Sequence, residues 1–468
     1  MSKKGAGDAF VEGKRFALFA RELRTTARLA FPLAAAQVAV MAMGLVDTAI
    51  VGHYQTVTLA GVGLGHMLSM GMLVFGFGLA HALEPLIAQA LGAGELGRAR
   101  AWTKTGERVA LPVGIPLALG AIGIAAASHA VGVDADIRDE AVVYLIARFP
   151  GNVLQLVFLA SRSVLQSQQR AAPLFVAALV ANVFNALANV ALVDGLVTWG
   201  AAGSGLATSL AMAVMTFMTV RASRTGPLAE AAAADTTPEP KVDLRLLFRL
   251  SWPLGVQLAA EFWVFTAAGL VASTLGKVPG AANTIALQCT SFTFMFSVGI
   301  ASATSARVGR AIGEGHPELA RPRLLAGALL AGGVMGLSAV LFLTLATPIA
   351  ALFGSGSGDL EGGAATIALA AQLLVAAAFY QLFDGTQAVM SGALRGAGDV
   401  RFPFVLTVAA YWGVGFPVAL GLAFAADLGA VGLWYGLGAG LAAAAIALTA
   451  RFLWVTRKVL VRLEPATD

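Results

Sequence analysis

Cysteine is nearly absent: the 468 residues hold one, Cys289. That excludes an internal disulfide and any Cys-rich metal site. Charge is scarce too. Asp, Glu, Lys and Arg make up 12% of the chain, about half the ~25% of a soluble protein. The five histidines (His53, His66, His81, His129 and His316) are scattered and form no ligand pair. The apolar segments do not alternate as barrel strands do, so a transmembrane β-barrel is excluded. No apolar h-region precedes Arg28, so no signal peptide is expected. No phosphate-binding loop or cofactor motif occurs, and neither a cofactor nor ATP coupling is expected.

What the chain has is apolar length. It is 58% hydrophobic with 54 glycines and a mean hydropathy of +0.79. Twelve apolar segments stand at 28–51, 60–90, 105–130, 141–164, 172–194, 200–221, 249–274, 281–304, 323–352, 364–390, 402–426 and 429–455. Each is long enough to cross a ~30 Å hydrocarbon core as a helix. The glycines suit close helix packing in lipid, where small residues let backbones approach. The fold class read from this is an all-α integral membrane protein with twelve transmembrane helices.

The connecting segments alternate in charge. Of the 31 Lys and Arg residues, all but Arg138, Arg148 and Lys277 fall in one set of loops or in the termini. The other set is short or acidic (Asp134, Asp136, Asp139, Glu140; Asp359, Glu361). By the positive-inside rule both termini are cytoplasmic in an inner (plasma) membrane. The basic balance is thus a topology signal, and no nucleic-acid partner is expected. The expected divisions are a basic tail over 1–27, a first lobe over 28–221, a linker over 222–248, a second lobe over 249–455 and a tail over 456–468. The tail suits an interfacial helix. The linker is rich in Ala, Pro and Thr.

The two lobes read as a repeat. Arg28-Leu29-Ala30-Phe31-Pro32 matches Arg249-Leu250-Ser251-Trp252-Pro253, a shift of 221. At the same shift Gly92-Ala93-Gly94-Glu95 matches Gly313-Glu314-Gly315-His316. Two six-helix halves point the same way in the membrane and would be related by a pseudo-twofold axis along its normal. Pro32 and Pro253 read as helix beginnings, where proline is harmless.

Four carboxyl groups lie inside the spans more than three residues from either end: Asp47, Glu84, Glu261 and Asp384. A charge at such depth costs at least ~2.5 kcal/mol on insertion scales, which makes each a functional candidate. Glu261 lies 12 residues past Arg249, about 18 Å along a helix and near the midplane. Asp384 lies 11 residues before Arg395, about 16 Å, at a similar depth. Asp47 and Asn189 each lie 19 residues from a basic residue, about 28 Å, with Asn185 one turn from Asn189. Two polar groups result: Asp47 with Asn185 and Asn189, and Glu261 with Asp384 and Tyr380. Carboxyls with carbonyl or amide oxygens suit a proton or a hard cation, and Glu261 with Asp384 would hold Na⁺. They also suit direct pairing with a cationic substrate. Plainer roles fit as well: a bonded structural carboxyl for Glu261, interhelical hydrogen bonds for the asparagines, and core packing for Tyr380. Glu84 stands about two turns before Gly92, a place that suits the cytoplasmic mouth.

Several stretches together are similar to one family. FPLAAAQVAVMAMGLVDTAIVGH, ALEPLIAQALGAG, SVGIASATSARVGRAIGEG and DGTQAVMSGALRGAGD resemble, in order, signatures of the multidrug and toxic compound extrusion (MATE) transporters, NorM-like members included. Ala282-Asn283-Thr284 departs from the family's usual Ala-His-Gln, and Glu84 stands where prokaryotic members often carry Thr. The resemblance implies two six-helix lobes and efflux of amphipathic or cationic organic compounds, driven by H⁺ or Na⁺. It implies that Asp47 is the first lobe's carboxylate with Asn185 and Asn189 beside it. Glu261 and Asp384 would form the second lobe's cation site, with Tyr380 as the aromatic neighbour. A monomer in contact with membrane lipid is expected.

Two other readings stand beside this one. A lipid-linked glycan or lipid flippase of the wider superfamily would carry basic residues in its cavity, whereas the internal charges read here are carboxylates. An intramembrane enzyme would need a His–carboxylate, Ser–His or metal set, and His66 and His81 show no partner motif, so no enzyme is expected.

Overall fold

The computed structural model describes residues 3–226, 240–354 and 360–463, and the side chains of 17–226, 240–352 and 362–463. Among the described residues, twelve helices are long and apolar enough to cross a membrane. They are α1 (Lys3–Gly52), α2 (Thr56–Gly92), α3 (Leu96–Ala127), α4 (Ala135–Ser167), α5 (Ala172–Val190), α6 (Gly200–Ser223), α7 (Leu244–Thr274), α8 (Lys277–Gly313), α9 (Ala320–Thr344), α10 (Leu360–Gly396), α11 (Arg401–Ala425) and α12 (Gly429–Val455). No strand occurs among the described residues. The chain is a multi-pass, all-helical membrane protein.

The helix ends differ from the hydropathy edges. Pro32 and Pro253 do not begin their helices; both lie inside α1 and α7. The amphipathic turns ahead of them, around Arg21–Arg28 and Leu244–Arg249, continue the helix beyond the apolar run, which hydropathy alone does not register. The apolar run 323–352 breaks at Leu345, and a short helix, Ala346–Gly354, follows. Residues 227–239 of the 222–248 linker, the acidic pair Asp359 and Glu361, and the last residues of the C-terminal tail lie outside the described backbone or side chains.

Two compact units form. One gathers Met1–Ala34, Ala268–Asp399 and Ala409–Asp468; the other gathers Ala35–Ala267 and Val400–Val408. In the second, α4 packs against α2, α3 and α6, and α5 against α6. In the first, α10 packs against α8, α9 and α12. Helices α2 and α4 run parallel in register. The pairs Ser69–Asn152, Ser163–Ala80 and Ser167–Glu84 are each separated by 83 residues and joined by hydrogen bonds of 2.9, 2.8 and 3.2 Å.

The sequence repeat reappears as repeated turns. After α2, the N–H groups of Ala93, Gly94 and Glu95 donate to the carbonyls of Gln89, Leu91 and Ala90. After α8, Glu314, Gly315 and His316 donate to Arg310, Ile312 and Ala311, each bond shifted by 221. Both are Schellman endings, in which a left-handed residue lets the next amide reach back five positions. Gly94 and Gly315 supply it, at φ +76° and +78°. The same ending closes α4 with Gln169 (φ 59°) and α10 with Gly398 (φ 83°).

Wider turns interrupt two helices. Ala191–Gly195, following α5, is π-helical, and so are Ala409–Gly415 and Gly421–Ala425 within α11.

Candidate functional site

The unit formed by 35–267 and 400–408 holds Asp47, 4% exposed, on α1. Its Oδ1 accepts from Asn189 Nδ2 on α5 at 2.8 Å. Its Oδ2 lies 2.9 Å from Thr208 Oγ1 on α6. The sequence pattern pointed to Asn189 and Asn185, and both are fully buried here. Asn185 approaches the same carboxyl group, yet neither its Oδ1 nor its Nδ2 meets a hydrogen-bond partner, nor does Asn189 Oδ1. Buried polar atoms of this kind are costly unless a water or ion completes them.

Thr208 was not foreseen. Its hydroxyl also lies 3.0 Å from the Ser204 carbonyl. A hydroxyl has one proton and two acceptor positions. With Asp47 ionised, Thr208 donates to it. With Asp47 protonated, the acid donates to Thr208, which turns its proton to Ser204. The site therefore keeps its hydrogen bonds in both protonation states.

A buried arginine stands in the same unit, which corrects the reading that the internal charges are carboxylates alone. Arg148 on α4 is 6% exposed. It donates to Tyr144 Oη at 2.8 Å and to Asn152 Oδ1 at 3.1 Å. Counted in the sequence only as a residue outside the basic loops, it falls within the span Ala135–Ser167. The signal available was one Arg inside the run AVVYLIARFPGNVLQLVFLA.

Glu261 on α7 belongs to this unit too. It is half-buried, and its Oε1 accepts from Gln257 Nε2 at 3.2 Å. The next two residues, Phe262 and Trp263, cross edge to face and pack on Gly71 of α2. Asp384 and Tyr380 fall in the other unit, both on α10. Asp384 is half-buried, and Tyr380 is 5% exposed. The Tyr380 ring lies 6.0 Å from that of Trp434 on α12, and Trp434 Nε1 donates to Asn283 Oδ1 at 2.9 Å. Asn283 is one of the two residues at which the chain departs from the usual Ala-His-Gln, and it is tied through Trp434 to Tyr380. Beside Tyr380 a crevice of about 250 Å³ is lined by Phe379, Phe383 and Tyr435.

Glu84 does not face an open mouth: it is wholly buried. The turn that carries it is held to α4 by Ser163 and Ser167. Its Oε1 lies 3.5 Å from His81 Nδ1, so His81 does have a carboxylate neighbour, which the sequence motif did not show. No group of three or more His, Cys, Asp or Glu side chains converges among the described residues.

Buried carboxyls, hydroxyls and amides distributed along twelve membrane spans suit the binding and release of a proton or small cation. Comparison with known proteins gives the family. The sequence model of the MatE family matches residues 32–191 and 253–420. A probable multidrug resistance protein NorM of Deinococcus radiodurans is 35% identical over 446 residues, 93% of this chain and 96% of that protein. That of Bradyrhizobium diazoefficiens is 33% identical over 455 residues, 94% and 95% respectively. Among solved structures, a eukaryotic MATE transporter superposes with a TM-score of 0.82 at 22% identity, covering 93% of this chain and 96% of that one. A superfamily transporter from Pyrococcus furiosus, described as having a binding pocket of reverse polarity, superposes at 0.81 and 19% identity, covering 94% and 97%. With a family match over most of its length and full-length relatives above 30% identity, this chain belongs to the MATE family.

Proposed function

We propose that the chain is a secondary antiporter that exports amphipathic, cationic organic compounds in exchange for H⁺ or Na⁺. Glu261 and Asp384 bind the coupling ion, supported by Tyr380. Asp47, with Asn185 and Asn189, gates the first lobe, and Glu84 supports substrate or cation passage. The two six-helix lobes, 28–221 and 249–455, rock about their linker, with both termini cytoplasmic. The protein works as a monomer in the inner membrane and needs no cofactor.

One observation carries this reading. Asp47 is buried among its neighbours on the last turns of a membrane span, yet its surroundings satisfy it in either protonation state. A structural carboxyl needs only one state, and transport needs both. The names of the relatives, multidrug resistance proteins, support the substrate class. A second reading, a flippase for lipid-linked glycans or lipids, is favoured by one feature, the buried basic residue Arg148.

The test is ethidium or rhodamine efflux from proteoliposomes with ΔpH and ΔNa⁺ imposed separately. Efflux driven by Na⁺ and abolished in Glu261→Gln and Asp384→Asn supports the second-lobe cation site. Efflux under ΔpH alone, abolished in Asp47→Asn, moves coupling to the first lobe. Dye that stays put under both gradients sinks the antiport reading, and lipid scrambling would then favour the flippase.

A further inference from the structure

Arg148 presents an electrostatic problem that its own hydrogen bonds do not solve. Arginine is always charged in proteins, and this one is buried within an apolar span. Its partners Tyr144 and Asn152 are neutral, and Asn152 is itself held by a neutral group, Ser69, at 2.9 Å. A full positive charge left uncompensated there would be strongly unfavourable.

The packing supplies the balancing group. Gly205 of α6 lies against the Tyr144 carbonyl and the Arg148 amide, where a Cβ would meet them at 2.5 and 3.2 Å. One turn further on, Thr208 bonds Asp47. On α1, Gly44 sits one turn before Asp47 and against the His66 ring. Val51, one turn after Asp47, shares an apolar cluster with Tyr144. Asp47 and Arg148 thus face one small volume from α1 and α4. The groups around it are His66 from α2, Tyr144 from α4, Asn185 and Asn189 from α5, and Thr208 from α6. Among the side chains that face this volume, Arg148 is the one that carries a fixed positive charge. Each member of the pair is capped by neutral partners, so the charges are separated rather than in contact.

We infer that Arg148 is the fixed counter-charge of Asp47, the two being carried through the membrane as a neutral pair. Arg148 is a positioning residue that acts through Asp47.

The test is a double-mutant cycle on the full chain, with Asp47→Asn, Arg148→Gln, the double variant and Arg148→Lys. Melting in detergent and coupled efflux from proteoliposomes are both read. Each neutralising single variant is expected to lower the melting temperature by about 5 °C or more and efflux by about tenfold. The double variant recovers most of the melting temperature while efflux stays low wherever Asp47 is replaced, and Arg148→Lys keeps more of both than Arg148→Gln. Should a single variant fail to fold while the double folds, that is the same rescue in a stronger form. Additive losses in the double variant, or a double that fails to fold, overturn the pairing. If wild type moves no dye, the antiport reading falls, and the melting cycle still decides the pair.

Discussion

Gly94 and Gly315 stand 221 residues apart and hold the same left-handed backbone, at φ +76° and +78°. The amide bonds around them repeat residue for residue. Neither would bring a Cβ within 4 Å of another group, so it is the conformation alone that favours glycine. Ala at either position should cost about 1 kcal/mol, a fall of about 2–4 °C in melting temperature. The fourth helix ends on Gln169 in the same conformation, so Gln169→Gly should move the melting temperature the other way. A fall in that variant would remove backbone strain as the explanation.

Gly78 of α2 and Gly255 of α7 meet backbone to backbone. A Cβ on Gly78 would lie 2.3 Å from the Gly255 amide, and one on Gly255 would lie 2.3 Å from the Phe75 carbonyl. Backbone cannot move aside as a side-chain tip can. Gly78→Leu should therefore cost more than the ~1–3 kcal/mol of ordinary overpacking. Gly63→Leu, where nothing lies within 4 Å, serves as the control. Equal thermal stability in the two variants would refute the crossing.

A buried ionic knot ties α1 to α8 and α9. Arg307 binds the Glu22 carboxylate and carbonyl and the Thr26 hydroxyl. Arg323 Nε lies 3.5 Å from the same carboxylate. Removing one partner of a buried pair strands the other, at about 3–5 kcal/mol. Arg307→Ala should thus melt well below wild type, and by a margin that changes little with salt because buried pairs are poorly screened. Glu22→Gln combined with Arg307→Gln should lose less than the two single variants summed. A loss that vanishes in high salt would indicate a surface pair instead.

Thr208 donates one bond to a buried acid. Thr208→Val removes the hydroxyl and keeps the shape. Efflux should fall about tenfold, the equivalent of one hydrogen bond to a charged group. Thr208→Ser should stay near wild type. Unchanged efflux in Thr208→Val would separate Asp47 from transport.

The one cysteine, Cys289, is 4% exposed, so introduced cysteines can be labelled against a weak background. Asp136 and Lys241 are both exposed. A membrane-impermeant maleimide should label Asp136→Cys in intact cells, and Lys241→Cys only after permeabilisation. The opposite pattern would invert the topology.

The spans were legible because a helix that crosses lipid needs length and apolarity, and both are written linearly in the chain. The ends were less so. The turns preceding Pro32 and Pro253 are helical but amphipathic, and hydropathy does not separate such turns from loops. The asparagines of α5 were legible as polar residues on one helix face at the depth of Asp47. Thr208 was not, since its own sequence surroundings give it no mark apart from other hydroxyls in lipid. Glu84 and Arg148 show the limit from the other side. Position along a helix gives depth, but whether a charge meets a mouth or a packed neighbour depends on helices far away in the chain. For Glu84 that neighbour is α4, reached 83 residues later.

The wide turns of α11 have a mechanical meaning. An i+5 turn holds one residue more than the α-helix needs. The bond from the Ala426 amide to the Gly421 carbonyl, 3.1 Å, spans such a turn. If that surplus residue migrates along the helix, bonds exchange one at a time and everything it passes rotates by about 100°. Phe416–Leu420 is ordinary α-helix with a surplus on each side. It is built like a sleeve between two bearings, able to turn its side chains while the remainder of the helix stays anchored.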